Sequence, residues 1–386
     1  MAAHGTRLGR LPKPRISAAE VTSLAYLKPL ERLLLRLHEE KNCPNRNLHF
    51  DRLLLLLVLS SFNPIISSLR DLEQVSALKK VQRKLGIPRL GKSTIAEALR
   101  VFDPELLAEV MAELAGRVPR QADSRLQDLN QVLTAVDGSL LKALPRMAWA
   151  LWVDERHRAA KAHLQFDVLK GIPVHCRVTD GNGNEKQALE QTLQSGRLYA
   201  LDAGYAKFTL FQAILDHGSS FVGRLRDNSV YRVVATRPLT DADRQAGVLS
   251  DRIVRLGSAK KQDELQQPLR LLAVEIATRD GNTTLLLATD RMDLAAEVIA
   301  LCYRYRWQVE LFFRWLKCTL NFKHLLSDTQ NGLEIQLYAA LIATLLVAIL
   351  AGRKPGKRTW VMIGFYLQGL ADEDELMTHL KTLPKC

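Results

Sequence analysis

Gln131-Val-Leu-Thr-Ala-Val-Asp137-Gly138 is the stretch that decides the fold class of this chain. The residues from 131 to 136 are apolar and β-branched, and an acid followed by glycine ends the run, which predicts a buried strand with a carboxylate at its end. Arg197-Leu-Tyr-Ala-Leu-Asp202 repeats the pattern. Helical segments over 185–194 and 207–215 intervene between strands, so we expect an α/β sheet domain.

The rest of the chain contains further predicted strands and a predicted helical region near its N-terminus. Further short strands are predicted over 149–153, 162–169 and 172–178. From Ser219 to about Asp290, apolar runs without convincing helices predict an antiparallel block, with strands over 221–225, 252–256, 269–277 and 283–288. Long helices are expected over 294–320 and 335–350. From Ala18 to about Arg117 the spacing of leucines, such as Leu30, Leu33, Leu34 and Leu37, predicts helices.

The positive charge of the chain is concentrated near its N-terminus. The 386 residues hold 54 Lys and Arg against 41 Asp and Glu, a formal net charge of +13. Residues 1–100 hold 18 basic and 8 acidic residues, so they contribute +10 of it. This asymmetry favours a polyanion partner for the N-terminal part, although a solvated basic face is the competing interpretation of the cluster Lys79, Lys80, Arg83 and Lys84.

Composition excludes several other classes of protein. The five cysteines form no C-x-x-C pair, so neither a disulfide framework nor a thiolate zinc site is indicated, and a reducing cytoplasm is expected. Residues 1–15 lack the apolar core of a secretory signal. The longest apolar run, Ile335–Ala351, contains Gln336 and Tyr338 and falls short of the ~20 residues that a bilayer requires. We therefore expect a buried helix there, with a membrane span as the competing interpretation.

Gly86-Ile-Pro-Arg-Leu-Gly91-Lys92-Ser93 matches the phosphate-binding pattern G-x-x-x-x-G-K-[ST]. That pattern binds phosphates only when a buried strand precedes it and a helix follows it. The preceding segment, 76–85, is amphipathic and rich in Lys and Arg, unlike a central parallel strand. We therefore interpret the motif as a turn that joins two helices, the second of which runs to Phe102 with Ser93, or the stretch 92–94, as its cap.

Two acids stand at the ends of the two predicted buried strands. Asp137 precedes Gly138-Ser139, and Asp202 precedes Ala203-Gly204-Tyr205. A carboxylate beside a glycine at a strand end is a natural ligand for a hard cation, because the glycine lets backbone or ligand approach closely. The competing interpretation is that each aspartate only begins a turn.

A third acid lies in Tyr303-Arg-Tyr-Arg306-Trp-Gln-Val-Glu310-Leu-Phe-Phe-Arg-Trp-Leu-Lys317. On one continuous helix, Tyr303, Arg306, Glu310 and Lys317 would share an arc of about 60°. The simpler interpretation is an i, i+4 ion pair on a surface helix. The apolar residues Trp307, Leu311, Phe312 and Trp315 are expected in the core. For Trp307 the alternative is stacking on an unpaired base.

The signature Tyr-x2-Arg-x3-Glu-x6-Lys, together with Asp137-Gly-Ser and Asp202-x-Gly-Tyr, resembles the IS4 family of insertion-sequence transposases. These belong to the DDE group, which has a ribonuclease-H-like catalytic core. The resemblance covers roughly residues 129–350. It implies that Asp137, Asp202 and Glu310 are the catalytic and metal-binding acids, and that the signature residues Tyr303, Arg306 and Lys317 contact DNA.

The resemblance also implies a division of the chain. The expected units are a basic, all-helical, DNA-binding domain over 1–125, the first part of the catalytic core over 126–218, a β-rich insertion over 219–292, the rest of the core over 293–350, and a C-terminal tail over 351–386. The expected fold class is thus α/β with a ribonuclease-H-like core.

The implied reaction is cleavage at the terminal inverted repeats of an insertion sequence, followed by strand transfer into target DNA. Two Mg²⁺ ions ~3.5 to 4 Å apart suit such chemistry, with Mn²⁺ as a substitute, and Asp137 is expected to bridge them. The expected partners are double-stranded DNA and a second protomer on paired ends, in a bacterial cytoplasm. A metal-dependent nuclease without strand transfer and an inactive DNA-binding relative are the alternatives.

Overall fold

The computed structural model describes residues 29–39, 48–61, 63, 65–142, 144, 147–150, 158–257, 265, 267–278, 281–319, 324–352, 355–367 and 369–382. Nine strands form one mixed sheet: β1 (Val132–Lys142), β2 (Ala159–Asp167), β3 (Ile172–Asp180), β4 (Arg197–Leu201), β5 (Ser220–Arg224), β6 (Tyr231–Arg237), β7 (Val248–Leu256), β8 (Leu269–Thr278) and β9 (Gly281–Thr289). Their spatial order is β3-β2-β1-β4-β5-β9-β8-β7-β6.

Fourteen helices are described: α1 (Glu31–Glu39), α2 (Phe50–Ser61), α3 (Leu69–Ala77), α4 (Lys79–Leu85), α5 (Lys92–Val101), α6 (Glu105–Arg117), α7 (Glu185–Glu190), α8 (Phe208–Asp216), α9 (Asp241–Gln245), α10 (Ala296–Arg304), α11 (Trp307–Thr319), α12 (Gln330–Ala351), α13 (Lys357–Leu367) and α14 (Glu373–Thr382). Helices α7 and α8 lie on one face of the sheet, whereas α10, α11 and α12 lie on the other. The mixed α/β class expected from the sequence is therefore confirmed.

The centre of the sheet is parallel. Strand β4 pairs in parallel with β1, with Ala200 opposite Ala135, and β5 pairs in parallel with β4. Strands β1, β2 and β3 are antiparallel neighbours. The side chains from Leu133 to Val136 are buried, as befits a strand covered by helices on both faces.

The second half of the sheet, β5 to β9, differs from the prediction in the direction of β5 and in an additional strand, β6. Strands β6 to β9 are antiparallel, and β9 joins them to the parallel half by pairing with β5. The strand that opens the predicted antiparallel block, β5, is itself parallel to β4. The reason is that α8 crosses over between β4 and β5, and a crossover helix returns the chain in the same direction. Strand β6 was not predicted.

The N-terminal helices share one hydrophobic core with the sheet. Helices α2, α5 and α6 pack against α12, and α6 and α12 both contact β3. The apolar core is continuous from Leu30 to Ala348. The described residues between 29 and 117 contain helices and no strands, and the boundaries of the predicted domains stay predictions.

Helix α12 is long and apolar enough to span a bilayer by length and composition alone. However, 83% of its most apolar window is buried inside the protein. The prediction of a buried helix at this position is confirmed, and the helix begins at Gln330 rather than at Ile335.

The segment that matches a phosphate-binding loop is a turn between helices, as predicted. Helix α4 ends at Leu85, Gly86 adopts the left-handed conformation with φ 60°, and α5 begins at Lys92. The element directly before the turn is thus the helix α4 and not a strand. The expected cap at Ser93 is wrong, because Gly91 occupies the N-cap position and no side chain caps α5.

The strand predicted over 149–153 is not seen where the chain is described. Trp149 lies in a turn, and residues 151–157 lie outside the described residues. The indole of Trp149 donates to the carbonyl oxygen of Asp328 at 2.8 Å. This contact ties the turn to the segment that precedes α12.

Candidate active site

Asp137 lies where the buried part of β1 ends. Its Oδ1 accepts a hydrogen bond from the backbone N–H of Gly138 at 2.9 Å. Burial raises the pKa of the Asp137 carboxyl to about 7, the Gly138 N–H and Arg306 oppose this, and the charges of Asp202 and Glu310 add to it. A carboxylate at this position is thus an under-compensated negative charge close to two other acids.

Asp202 directly follows β4. Because β4 runs parallel to β1 with Ala200 opposite Ala135, Asp202 is brought to the same edge of this parallel pair as Asp137. The predicted strand end at Asp137 is wrong, because β1 continues to Lys142 beside β2. The Oδ1 of Asp202 accepts from the backbone N–H of Gly204 at 2.8 Å, which caps the short 3-10 turn Ala203–Tyr205.

Glu310 and Arg306 form the third part of the site. The Nη2 of Arg306 donates to Oε1 of Glu310 at 2.6 Å, and the two side chains are 13% and 30% exposed. The Arg306 guanidinium also lies over the ring of Tyr303, 5.8 Å from its centre. Burial raises the pKa of the Tyr303 hydroxyl, which keeps it protonated and able to donate. One cation therefore lies among the three acids.

Lys317 reaches the outer half of β1 rather than the acids. Its Nζ donates to Oγ of Ser139 at 2.7 Å and to the carbonyl oxygen of Leu140 at 2.8 Å. These bonds tie α11 to β1, so they fix the helix that carries Glu310 against the strand that carries Asp137.

The predicted arc on one continuous helix is wrong. Helix α10 ends at Arg304 and α11 begins at Trp307, with Tyr305 and Arg306 in a turn between them. The Tyr305 hydroxyl hydrogen-bonds to the carboxylate of Asp123, and Arg125 holds the pKa of that carboxyl at about 2. These contacts tie the turn between α10 and α11 to the segment that contains Asp123 and Arg125.

Helix α11 buries a different set of apolar residues from the one predicted. Trp307 is 50% exposed and Leu311 is 46% exposed, so their predicted place in the core is wrong. Phe312 is buried and Trp315 is partly buried against the core, as predicted. Trp307 and Leu311 lie on the face of α11 opposite its buried side chains, which recur at helical spacing: Val309, Phe312, Phe313 and Leu316.

The chemistry of the acids suits a hard divalent cation. Carboxylate oxygens are the ligands that Mg²⁺ prefers, and the raised pKa of Asp137 marks a place where positive charge is lacking. Among the described residues, no three acids, histidines or cysteines lie close enough to form a ready-made ligand shell. The residues fit such a cation by type and charge.

One further acid at this edge was not singled out from the sequence. Glu185 opens α7, and its carboxylate lies against Gly138 and near Gly204. The available signal was Asn184, whose side chain caps α7 and so marks the start of a helix there. Nothing in that signal indicates that the helix starts at the sheet edge.

Residues 129–346 match the transposase DDE domain family. The chain is 33% identical over 263 residues to a protein named as transposase y4zB of Sinorhizobium fredii, and the match covers 68% of this chain and 72% of that protein. It is 26% identical to a protein named as the transposase of insertion sequence element IS5377 from Geobacillus stearothermophilus, with 72% of each chain covered.

A third relative and one solved structure are more distant. The chain is 21% identical to a protein named as the transposase of element IS4SA from a Synechocystis species, covering 74% of this chain and 80% of that one. The piggyBac transposase in a synaptic complex with hairpin DNA aligns with a TM-score of 0.42 and 12% identity, covering 94% of this chain and 76% of that chain.

Proposed function

This chain belongs to the transposase DDE domain family and is an insertion-sequence DNA transposase, an enzyme that cleaves DNA and transfers strands. We propose that Asp137, Asp202 and Glu310 form its catalytic centre. The observation that supports this most is the parallel pairing of β1 and β4, which brings Asp137 and Asp202 to one edge. Burial raises the pKa of Asp137 there, and the charges of Asp202 and Glu310 add to that effect.

The proposed core is ribonuclease-H-like. It comprises β3-β2-β1-β4-β5, in which β1 to β3 are antiparallel and β4 and β5 run parallel to β1. In this arrangement Asp137 and Asp202 come from adjacent parallel strands, and Glu310 comes from a helix that packs on β1.

The three acids would hold two Mg²⁺ ions, for which Mn²⁺ can substitute, and these would supply the positive charge that a phosphodiester requires under in-line attack. The protein residues position the DNA. Arg306 donates to Glu310 through Nη2, and its guanidinium has further N–H groups that would donate to a phosphate. The protonated Tyr303 hydroxyl is a second donor beside it.

Lys317 would act on DNA from a fixed position, since its ammonium group is held at Ser139 and Leu140. The basic helix α4, with exposed Lys79, Lys80 and Arg83, would hold the DNA backbone. The proposed substrates are the terminal inverted repeats of the element and a target duplex. A homodimer on paired ends, working in the bacterial cytoplasm, completes the proposal.

The test is a strand-transfer assay with a short duplex that carries the element's terminal repeat, with and without Mg²⁺. Joined products support the proposal, cut products alone indicate a nuclease, and shifted but intact DNA indicates an inactive binder. Asp137→Asn, Asp202→Asn and Glu310→Gln should each lower the rate about a hundredfold or more, as expected when a preorganised charge is removed from an active site.

The matched control is Glu190→Gln, at an exposed position on α7. It should transfer strands at the rate of the unchanged protein. If Glu310→Gln does so as well, the assignment of the third acid is wrong.

A further inference from the structure

The Glu185 carboxylate lies alongside the backbone that follows two of the three acids. Its Oε1 is 2.8 Å from the position a Cβ would take at Gly138, directly after Asp137. Its Oε2 is 3.6 Å from the corresponding position at Gly204, which is itself 2.9 Å from Oδ1 of Asp202. A side chain at position 138 would displace the Glu185 carboxylate from this place, whereas one at position 204 would first meet Asp202.

Glu185 is held in this place by its own helix and by a lysine. The Asn184 side chain caps α7 by accepting from the N–H of Lys186 at 3.1 Å. Lys161, on β2, lies 3.1 Å from Oε1 of Glu185, and the two side chains are 17% and 28% exposed. The ion pair uses Oε1. Among the described residues, Oε2 has no hydrogen-bond or ion-pair partner.

A buried hydroxyl beside Glu185 also lacks a partner. Tyr205 is 1% exposed, and its hydroxyl makes no hydrogen bond to any described residue. It lines the same small cavity as Glu185, and so do Nδ1 of His163 and Oε1 of Gln165, which are buried without partners as well. Buried polar atoms normally have partners, and this cavity of about 10 Å³ has room for one water molecule among the three atoms.

We propose that Glu185 is a fourth carboxylate of the cation-binding centre, in addition to the three signature acids. Its ligand is a hydrated divalent cation, which it reaches through Oε2, while the Tyr205 hydroxyl hydrogen-bonds to the hydration water. Lys161 competes for the same carboxylate. The inference rests on the proposed function, because it requires that the sheet edge binds a cation.

The competition with Lys161 makes the proposal specific. A carboxylate that serves only to pair with Lys161 would lose its role when the lysine is removed. A carboxylate that binds a cation would instead become more available, because its opposing charge is gone. Glu185→Gln and Lys161→Met therefore have opposite expected effects on cation binding.

The experiment is titration of Mn²⁺ into the DNA-free protein, followed by electron paramagnetic resonance of the unbound ion. Glu185→Gln should weaken Mn²⁺ binding about tenfold, within the range for residues that support a metal site. Lys161→Met should bind Mn²⁺ at least as tightly as the unchanged protein. Glu190→Gln, on the same helix, is the matched control and should bind normally. Circular dichroism confirms that each variant is folded.

The outcomes separate the two proposals. If Asp137→Asn loses Mn²⁺ binding while Glu185→Gln retains it in full, the assignment of Glu185 as a fourth carboxylate is wrong. The assignment of the three signature acids is then unaffected. If Asp137→Asn also binds Mn²⁺ normally, the cation centre itself is wrong. If Glu185→Gln does not fold, Lys161→Met decides, since weakened Mn²⁺ binding in that variant overturns the proposal.

Discussion

Each half of the sheet carries an arginine–carboxylate pair, and the two pairs are built differently. In the antiparallel half, Arg270 donates to Asp251 through Nε at 2.9 Å and through Nη2 at 2.6 Å, and both side chains are 2% exposed. In the parallel half, Arg306 and Glu310 are 13% and 30% exposed.

The surroundings of the two pairs differ more than their distances. Arg270 also donates to the carbonyl oxygens of Arg291 and Leu294, which lie just before α10. All three guanidinium nitrogens of Arg270 thus donate to acceptors inside the protein. Arg306 is shared among Glu310 and two further acids, of which Asp137 carries a raised pKa. A fully satisfied pair holds structure, whereas an incompletely compensated cluster retains the capacity to bind.

The largest expected effect is on stability, from Arg270→Ala. Breaking a buried ion pair costs about 3–5 kcal/mol, and the only other cation within 4 Å of Asp251 among the described residues is Arg237, at 3.8 Å. Urea denaturation should show a loss of that size. Arg306→Ala, in a more exposed pair, should cost about 1 kcal/mol in the same measurement. Equal losses from the two variants would remove the distinction between the pairs.

The second prediction concerns Asp137 and pH. The folded-state pKa is raised to about 7 from an ordinary value of 3.8, so the folded protein binds this proton more tightly than the unfolded chain. Stability should therefore fall as pH rises from about 4 to about 7, with a slope of at most about 1.4 kcal/mol per pH unit, and level off above.

Asp137→Asn should remove this part of the pH dependence and be more stable than the unchanged protein at pH 8. The measurement is urea denaturation at several pH values in a buffer with a chelator. Added Mg²⁺ should narrow the difference, because it compensates the carboxylate. If the free energies of unfolding of Asp137→Asn and of the unchanged protein change in the same way with pH, the pKa of Asp137 is not raised in the folded protein.

The smallest expected effect comes from the break between α10 and α11. Tyr305→Phe removes the hydroxyl that bonds to Asp123, and one such bond contributes about 1 kcal/mol. Strand transfer should slow a few-fold, because the turn that places Arg306 loosens. Tyr231→Phe, on the edge strand β6, should change neither stability nor rate. A Tyr305→Phe variant with an unchanged rate would show that the break is held by other contacts.

The sequence contained enough to locate two of the three acids. An apolar β-branched run that ends in an acid and a glycine is a local pattern. It correctly placed Asp202 at the end of β4, and it placed Asp137 where the buried part of β1 ends, although the strand itself continues to Lys142. The parallel register that joins them follows from the crossover helices between strands. Local patterns of this kind depend on neighbours in the chain, which is why they can be recognised without a structure.

The remaining features depend on contacts between distant segments. The stretch around Tyr305 contains no glycine or proline, so nothing local predicts a helix break; the break is held by Asp123, which lies 182 residues earlier. Glu185 lies beside Gly138 only because α7 starts at the sheet edge.

The late position of helix α12 in the chain delays the folding of the N-terminal helices during synthesis on the ribosome. This helix completes the packing of α2, α5 and α6, although more than two hundred residues separate it from α6 in the chain. At a synthesis rate of ~5–20 residues/s, α2, α5 and α6 wait roughly 10 to 50 s for their last packing partner. A nascent chain that stops before α12 leaves these three helices without a closed core, so the N-terminal part of the protein reaches its final packing only with the nearly complete chain.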